Sequence, residues 1–539
     1  MKKRIIRSTL FCASMMLCFS LTSCDSDDVF SIVFEETTTS SNNTGTSSVK
    51  ETTATSVKET TTTSVKETTT TGGTTTTTTT SGNEYYMHYI DNTLNLNSDL
   101  LTKNFGGDSS DKTITFYHSM GSSLQHVLKD AINKFKAKYP DWNVEDTLVG
   151  GYNDIRSRCI ADLATGNQPD LAYCYTDHVS QYLKTCKVVD MSDYVNATGT
   201  INGNPIGYTK EEVADFIEGF YIEGFALNYA DYNKHGYNPS DILTFPFVKS
   251  TEVLYYNKDA LVQAGIVDSN GYAKAPETWD ELWDDCEKLK KTFPNCTPLG
   301  YDNESNWVIT MCEQNGWGYT QTKSPNLIFN TPELANWLDD MKIKFDKHYF
   351  TTQDIYQEYT SSLFTKGPEY GGSVFSICTS NDAAHMTTDL FDWGVAKIPG
   401  SKVGNKIVNS VLYQGPSLVM FQSDKKHSTE RQLMTWEFVK CLEDAQFQAS
   451  FAMVSGYIPT RLSSFENSFY EELMLDETSI VAATAKVTSK ISNDFFTCPV
   501  FSGSIAAKDQ MEAALLYVLR GYKTGEKALN DAYKACGGK

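Results

Sequence analysis

The chain has 539 residues, with 46 Lys and Arg against 67 Asp and Glu and a formal net charge of -21. An acidic balance of this size repels phosphate backbones, which excludes general nucleic-acid binding and weighs against a polyanionic ligand. Aromatic residues make up 12% of the chain, too many for counting to separate a binding site from a core, so position has to decide.

In chain order, Lys2, Lys3, Arg4 and Arg7 precede an apolar stretch from about Leu10 to Leu21. That stretch is too short, and too soon followed by polar residues, to span a membrane, and it reads as an export signal. It ends in LTSC, which resembles the lipobox of bacterial lipoproteins. The resemblance implies cleavage before Cys24, a lipid on Cys24, and a chain anchored on the extracellular face of the bacterial cell membrane. An ordinary cleaved signal with an incidental cysteine is the alternative. After residues 1–24, residues 25–84 form a Thr-rich tether: SVKETTAT and SVKETTTT repeat, then threonine runs unbroken. No apolar face is available there to offset chain entropy. Its coil span is roughly 45 Å and its stretched reach about 200 Å. Residues 85–110 are an N-terminal extension. Of the 13 cysteines, Cys12, Cys18 and Cys24 fall in the signal, and the other ten lack C-x-x-C spacing, so no metal site is expected. Cys286 and Cys296 form a local disulfide or, equally, remain free buried thiols.

From Thr113 strand and helix patterns alternate. TITFYHSMGSSLQHVLKDAINKF begins β-branched and aromatic, breaks at small polar residues, then sets Leu124, Val127, Leu128, Ala131, Ile132 and Phe135 on one helix face. WNVEDTLV is a strand, Ile155, Cys159, Ile160 and Leu163 are a second helical stripe, and DLAYCY is a buried strand. This β-α-β-α-β order predicts a mostly parallel sheet covered by helices. Its strand-end loops are HSMGSS, GGYND and YTDH, which should converge on one rim, where open α/β proteins hold ligands. Further on, TFPFVKSTEVLYYNKDAL reads as a strand entering a short helix. In PETWDELWDDCEKLKKTF, Thr278 with Glu281 predicts a capping box, and Leu282, Cys286 and Leu289 a buried stripe. Residues 392–421 hold two strand-like runs around a Gly/Lys loop, TWEFVKCLEDAQFQASFAM is one helix, and residues 508–535 are helical with a break at Gly521.

The runs ITFYHSMGSSLQHVLKDAINKFKAKYPDWNV, PDLAYCY, PFVKSTEVLYYNKDAL, TWDEL, WGVAKIPG and SGYIPTR, in that order, resemble extracellular solute-binding proteins (family 1) of ABC importers, in the branch for sugars and glycerol-3-phosphate. The resemblance implies an α/β, two-lobe, periplasmic-binding-protein-like (class II) fold with hinge strands and an inter-lobe cleft. Lobe I would comprise residues 111–249 plus 413–453, and lobe II residues 251–412 plus 454–539. Contacts to both lobes are complete only when the cleft shuts, so a solute shifts an open-to-closed equilibrium. The implied partners are a small-molecule carbohydrate, the membrane subunits of an ABC permease with a cytoplasmic ATPase behind them, and the membrane through the lipid anchor. A monomer without cofactor is expected.

A sugar site needs aromatic faces for C–H surfaces and small or planar hydrogen-bonding groups for hydroxyls. The candidates are His118, Ser119, Tyr152, Asp177, Ser250, Trp307, Gly415 and Tyr457. His118 and Ser119 end the first strand, where a capping role competes. Asp177 is placed to accept sugar hydroxyls or to cap the next helix. Tyr152, Ser250, Trp307, Gly415 and Tyr457 match ligand-contacting positions by the resemblance to the glycerol-3-phosphate binders, with Trp307 as a stacking platform. Two departures from those binders matter. Glu304 replaces a second tryptophan, and FFTCPVFSGSIAAK lacks the arginine that holds the phosphate. These favour a neutral sugar or short oligosaccharide over glycerol-3-phosphate. A glycoside hydrolase and a surface adhesin are the competing classes, but no G-x-S-x-G, H-E-x-x-H or P-loop pattern is present.

Overall fold

The computed structural model describes residues 112–422 and 428–538. The expected signal with Cys24, the tether and the N-terminal extension lie outside the described residues. Strand β1 (Thr113–His118), helix α1 (Gln125–Lys138), strand β2 (Asn143–Leu148), helix α2 (Tyr152–Thr165) and strand β3 (Leu171–Cys174) appear in the expected order, followed by helix α3 (Thr176–Tyr182). β1 runs parallel to both β2 and β3. The α1 stripe buries Val127, Leu128, Ala131 and Phe135, while α2 buries Ile155, Cys159 and Leu163 but leaves Ile160 exposed, just off its buried face. Extended Gly151 precedes α2 and donates its N–H to the Asp154 carboxylate at 2.8 Å. Gly166, at φ 76°, ends that helix in the left-handed conformation glycine adopts without steric cost.

The larger elements then continue as β4 (Phe245–Pro246), β5 (Ser250–Asn257), α4 (Trp279–Thr292), β6 (Leu299–Tyr301), α5 (Glu304–Asn315), α6 (Pro332–Asp346), β7 (Phe350–Thr352), β8 (Phe375–Thr379), β9 (Trp393–Lys397), β10 (Val411–Gln414), β11 (Ser417–Met420), α7 (Ser428–Leu442), α8 (Ala445–Ser455), β12 (Phe495–Phe496), α9 (Ser504–Leu519) and α10 (Gly525–Ala535). Thr278 caps α4 by accepting the Glu281 N–H at 3.3 Å, and Leu282, Cys286 and Leu289 are buried as expected. The reciprocal arm of the predicted capping box goes elsewhere: the Glu281 carboxylate accepts from the N–H of Glu277. The single helix expected over TWEFVKCLEDAQFQASFAM is two. Asp444 ends the run by accepting the N–H groups of Gln446 and Phe447, each at 3.2 Å, and starts α8. Residues 392–421 also hold more than two strands, because a hairpin of Ser401–Val403 with Lys406–Val408 sits between β9 and β10.

Two sheets organise the chain into two lobes. Lobe I carries the order β2-β1-β3-β11-β4, and lobe II the order β12-β10-β5-β8-β6-β7, with β9 also paired to β5. Each has its own core. One gathers Ile114, Phe116, Leu171, Phe245 and Trp436, the other Leu254, Leu299, Trp307, Phe350 and Leu515. The chain passes between the sheets at Val248 and Lys249, from β4 to β5, and again at Gly415 and Pro416, from β10 to β11. The two crossings touch. Gly415 has φ 118°, and a Cβ there would lie 2.6 Å from the Val248 carbonyl oxygen and 2.9 Å from the Lys249 Cα. Only glycine fits so close an approach at that φ. Val500 adds a further contact, bridging to Tyr229 of lobe I. The ten described cysteines, Cys286 and Cys296 among them, are free thiols. Among the described residues no helix is long and apolar enough to cross a membrane.

Candidate functional site

A cavity of about 90 Å³ lies where the two lobes meet the crossing strands. Lobe I contributes Tyr175, Thr176, Asp177 and Glu223. The second crossing contributes Tyr413, Gln414 and Gly415, and lobe II contributes Ile309, Tyr319, Thr320, residues 497–500, Ser504 and Lys508. β3 delivers three of the lobe I residues: it stops at Cys174, Tyr175 is the extended residue before α3, and Thr176 and Asp177 fall in the first turn of that helix, while Glu223 follows the short helix Glu218–Ile222. α9 delivers Ser504, its first residue, and Lys508 one turn on, while Ile309 comes from α5.

The lobe I wall is built from stacked tyrosines. Tyr175 stacks on Tyr152 with ring centres 4.4 Å apart. The Tyr152 hydroxyl lies 3.4 Å from that of Tyr457 and is hydrogen-bonded to Ser119. Burial raises all three tyrosine pKa values, so these groups stay neutral and able to donate. Cys498 on the opposite wall is likewise held as a thiol, its pKa pushed by burial to about 12.

Charge is unevenly satisfied around the cavity. Asp177 Oδ1 is buried without a hydrogen-bond partner among the described residues, and the nearest ring nitrogen of His178 is 3.8 Å away. Burial drives the His178 pKa down to about 4; the charges of Arg156 and Lys508 push the same way and Asp177 pulls against them. His178 is therefore neutral at physiological pH and offers its neighbour Asp177 no counter-charge. Glu223 is tied on both oxygens, Oε1 accepting the Thr176 hydroxyl at 3.2 Å and Oε2 the buried Lys249 ammonium. Lys508 is half-buried and makes no ion pair or hydrogen bond among the described residues, although its charge is felt at His178 and Glu252. It also borders an open acidic groove that includes Glu304, Asp354, Asp509 and Glu512.

Of the eight residues singled out from the sequence, Asp177 and Gly415 line the cavity. Ser119, Tyr152 and Tyr457 gather behind Tyr175. The other three do not reach it. His118 is fully buried, with Nδ1 accepting the Met120 N–H at 3.0 Å and Nε2 facing Asp146 at 3.3 Å, so it holds the turn after β1. Ser250 is 4% exposed on β5, paired with Gln414. Trp307 corrects the stacking-platform expectation. It is 0% exposed in the lobe II core, one face stacked on Tyr301 at 4.3 Å and 5°, with Trp279, Trp337 and Phe350 around it. A ring enclosed in this way presents no face to a solute. Sequence reading missed Glu223, Tyr319, Thr320, Tyr413 and Lys508. Lys508 closes the very stretch in which an arginine was sought, and a search for any cation there would have found it. Asp302, Cys378 and Asp382 bring three metal-ligating atoms within 4.8 Å of one another, but none lines the cavity.

Residues 130–475 match the family model of bacterial extracellular solute-binding proteins. The chain is 25% identical over 403 residues to the sn-glycerol-3-phosphate-binding periplasmic protein UgpB of Escherichia coli K12, spanning 72% of this chain and 83% of that protein. Among solved structures it is similar to UgpB of Mycobacterium tuberculosis in complex with glycerophosphocholine, at 18% identity and a TM-score of 0.61, over 79% of this chain and 97% of that one. The acarbose-binding GacH receptor of Streptomyces glaucescens gives 14% identity and a TM-score of 0.60, over 79% and 98%. With two α/β lobes, paired crossings and a cavity between them, the chain belongs to the bacterial extracellular solute-binding protein family.

Proposed function

We propose that the chain captures a neutral sugar or short oligosaccharide between its lobes and hands it to the membrane subunits of an ABC permease, binding the solute without converting it. The observation that carries this reading is the convergence of tyrosine rings and hydroxyl-matching groups from both lobes on one cavity: Tyr175, Thr176, Asp177 and Glu223 face Tyr319, Thr320, Ser504 and Lys508. Rings cover the C–H faces of a pyranose, while carboxylates and hydroxyls meet its O–H groups. The cavity of about 90 Å³ is smaller than the roughly 300–1,000 Å³ of ordinary small-molecule pockets. Admitting a sugar therefore requires the lobes to part and then close. In this reading the chain acts as a monomer held by a lipid on Cys24, with the Thr-rich segment as its tether.

A second reading, a glycerol-3-phosphate or glycerophosphodiester ligand, is favoured by Lys508. An ammonium that makes no ion pair among the described residues, one turn inside α9 whose first residue borders the cavity, is a favourable neighbour for a phosphate. Asp177, a carboxylate on the same cavity, opposes that reading. Thermal-shift measurements on the full chain with maltose, maltotriose, sn-glycerol-3-phosphate and glycerophosphocholine separate the two. Stabilisation by a sugar that survives Lys508→Met within about threefold supports the first reading. Stabilisation by phosphate compounds alone, lost in Lys508→Met, contradicts it.

A further inference from the structure

Glu223 is 6% exposed and borders the inter-lobe cavity, yet it follows the short helix Glu218–Ile222 in a part of the chain without any motif. Its partner Lys249 is 0% exposed. A lysine ammonium has three donors, and all three are used within the protein: one on Glu223 Oε2, one on Ser417 Oγ at 2.8 Å, one on the Gly415 carbonyl oxygen at 3.5 Å. Lys249 therefore has nothing left to offer a solute. Glu223 differs, because a carboxylate has about four acceptor positions and, among the described residues, the Thr176 hydroxyl and the Lys249 ammonium are the groups hydrogen-bonded to it. Acceptor capacity remains on a group that lines the cavity.

The location adds to this. Lys249 stands in the first crossing between the lobes, and Gly415 and Ser417 stand in and just after the second. One ammonium thus ties both crossings to the carboxylate that the cavity presents. A buried ion pair is rarely a more stabilising choice than apolar side chains of the same volume, so its presence at this position calls for a use.

We infer that Glu223 is a solute-contacting residue that accepts a hydroxyl of the captured molecule, and that Lys249 is its positioning residue, holding the carboxylate in place between the two crossings. This rests on the solute-capture reading and deepens it. The solute atom at Glu223 must carry a proton to donate, so a phosphate or carboxylate oxygen is refused there and any anionic end of a solute is directed to the Lys508 side of the cavity. Asp177, on the same wall, enforces the same orientation.

The test is isothermal titration of the full chain with maltose, maltotriose, sn-glycerol-3-phosphate and glycerophosphocholine, which reports the affinity and the binding-competent fraction separately. Glu223→Gln and the charge-neutral double variant Glu223→Gln with Lys249→Met should both raise the Kd of the bound probe at least tenfold with stoichiometry near one. Lys249→Met alone should also raise it, and Lys249→Arg should restore part of the loss. A purely structural pair would instead lower the stoichiometry and leave Kd unchanged, which overturns the inference while solute capture stands. Binding of none of the four probes by the unmodified chain overturns both together.

Discussion

Replacing Trp307 by alanine separates a core residue from a ligand platform. The side chain is fully buried, stacked on Tyr301 and bordered by Phe350 at 5.2 Å and Trp279 at 5.8 Å. A buried aromatic of this size removes about 150–250 Å² from water, which at about 25 cal/mol per Å² amounts to roughly 4–6 kcal/mol. The indole N–H has no hydrogen-bond partner among the described residues, so truncation also relieves one unsatisfied donor, worth about 1 kcal/mol or more. The expected loss is therefore about 4 kcal/mol, within the usual range for Trp or Phe to Ala in a core. Urea unfolding should show a clear fall in the midpoint of the lobe II transition. The fraction that remains folded should bind its solute with near-normal Kd, and Trp307→Phe should fall between. Unchanged stability together with abolished binding would refute the placement and return Trp307 to the cleft.

Other substitutions test the crossings and the buried charges. Gly415→Ala places a methyl 2.6 Å from the Val248 carbonyl oxygen at φ 118°; it should destabilise by about 2 kcal/mol or more and weaken solute affinity, and a silent variant in both assays would contradict the geometry of the crossings. Glu252 is buried beside the Tyr301 hydroxyl, and burial pushes its carboxyl from 4.5 up to about 8. The folded chain then keeps a proton that the unfolded chain releases, so this stabilisation is complete below about pH 4.5 and is lost as pH rises through about 8. Glu252→Gln should lack that decline and exceed the unmodified chain near pH 9 by on the order of 4 kcal/mol; parallel thermal melts across this range would count against it. Cys186 is the exposed thiol of the ten described, so it should react first with an alkylating reagent, and a reductant should leave the unfolding midpoint where it was.

What the sequence disclosed follows from which forces act locally. Periodicity located β1, α1, β2, α2 and β3 because one buried face per element imposes it, and the pairing of Leu282, Cys286 and Leu289 was equally plain. Trp307 was singled out by resemblance alone, and the polar residues Glu304, Ser305 and Asn306 before it gave no local sign of a core position. All three are buried, Glu304 by accepting the Asp354 N–H at 2.8 Å, and a tertiary hydrogen bond of that kind leaves no local pattern. The break between α7 and α8 hides for a related reason: Glu443 and Asp444 look like an ordinary helical surface pair until the Asp444 side chain is seen capping the next helix. Glu223 and Lys249 are 26 residues apart, and only the crossing of strands joins them. The place of Asp177 on the cavity wall was legible because it follows a buried strand into a helix, a position that α/β sheets use repeatedly.

The most direct measurement is a crystal structure of the full chain grown with whichever of maltose, maltotriose, sn-glycerol-3-phosphate or glycerophosphocholine stabilises it. The account predicts the solute enclosed between the lobes, its hydroxyls on Asp177 and Glu223 and a ring against Tyr175. A solute lodged on the outer acidic groove beside Glu304 and Glu512, with the inter-lobe cavity unchanged, would contradict it.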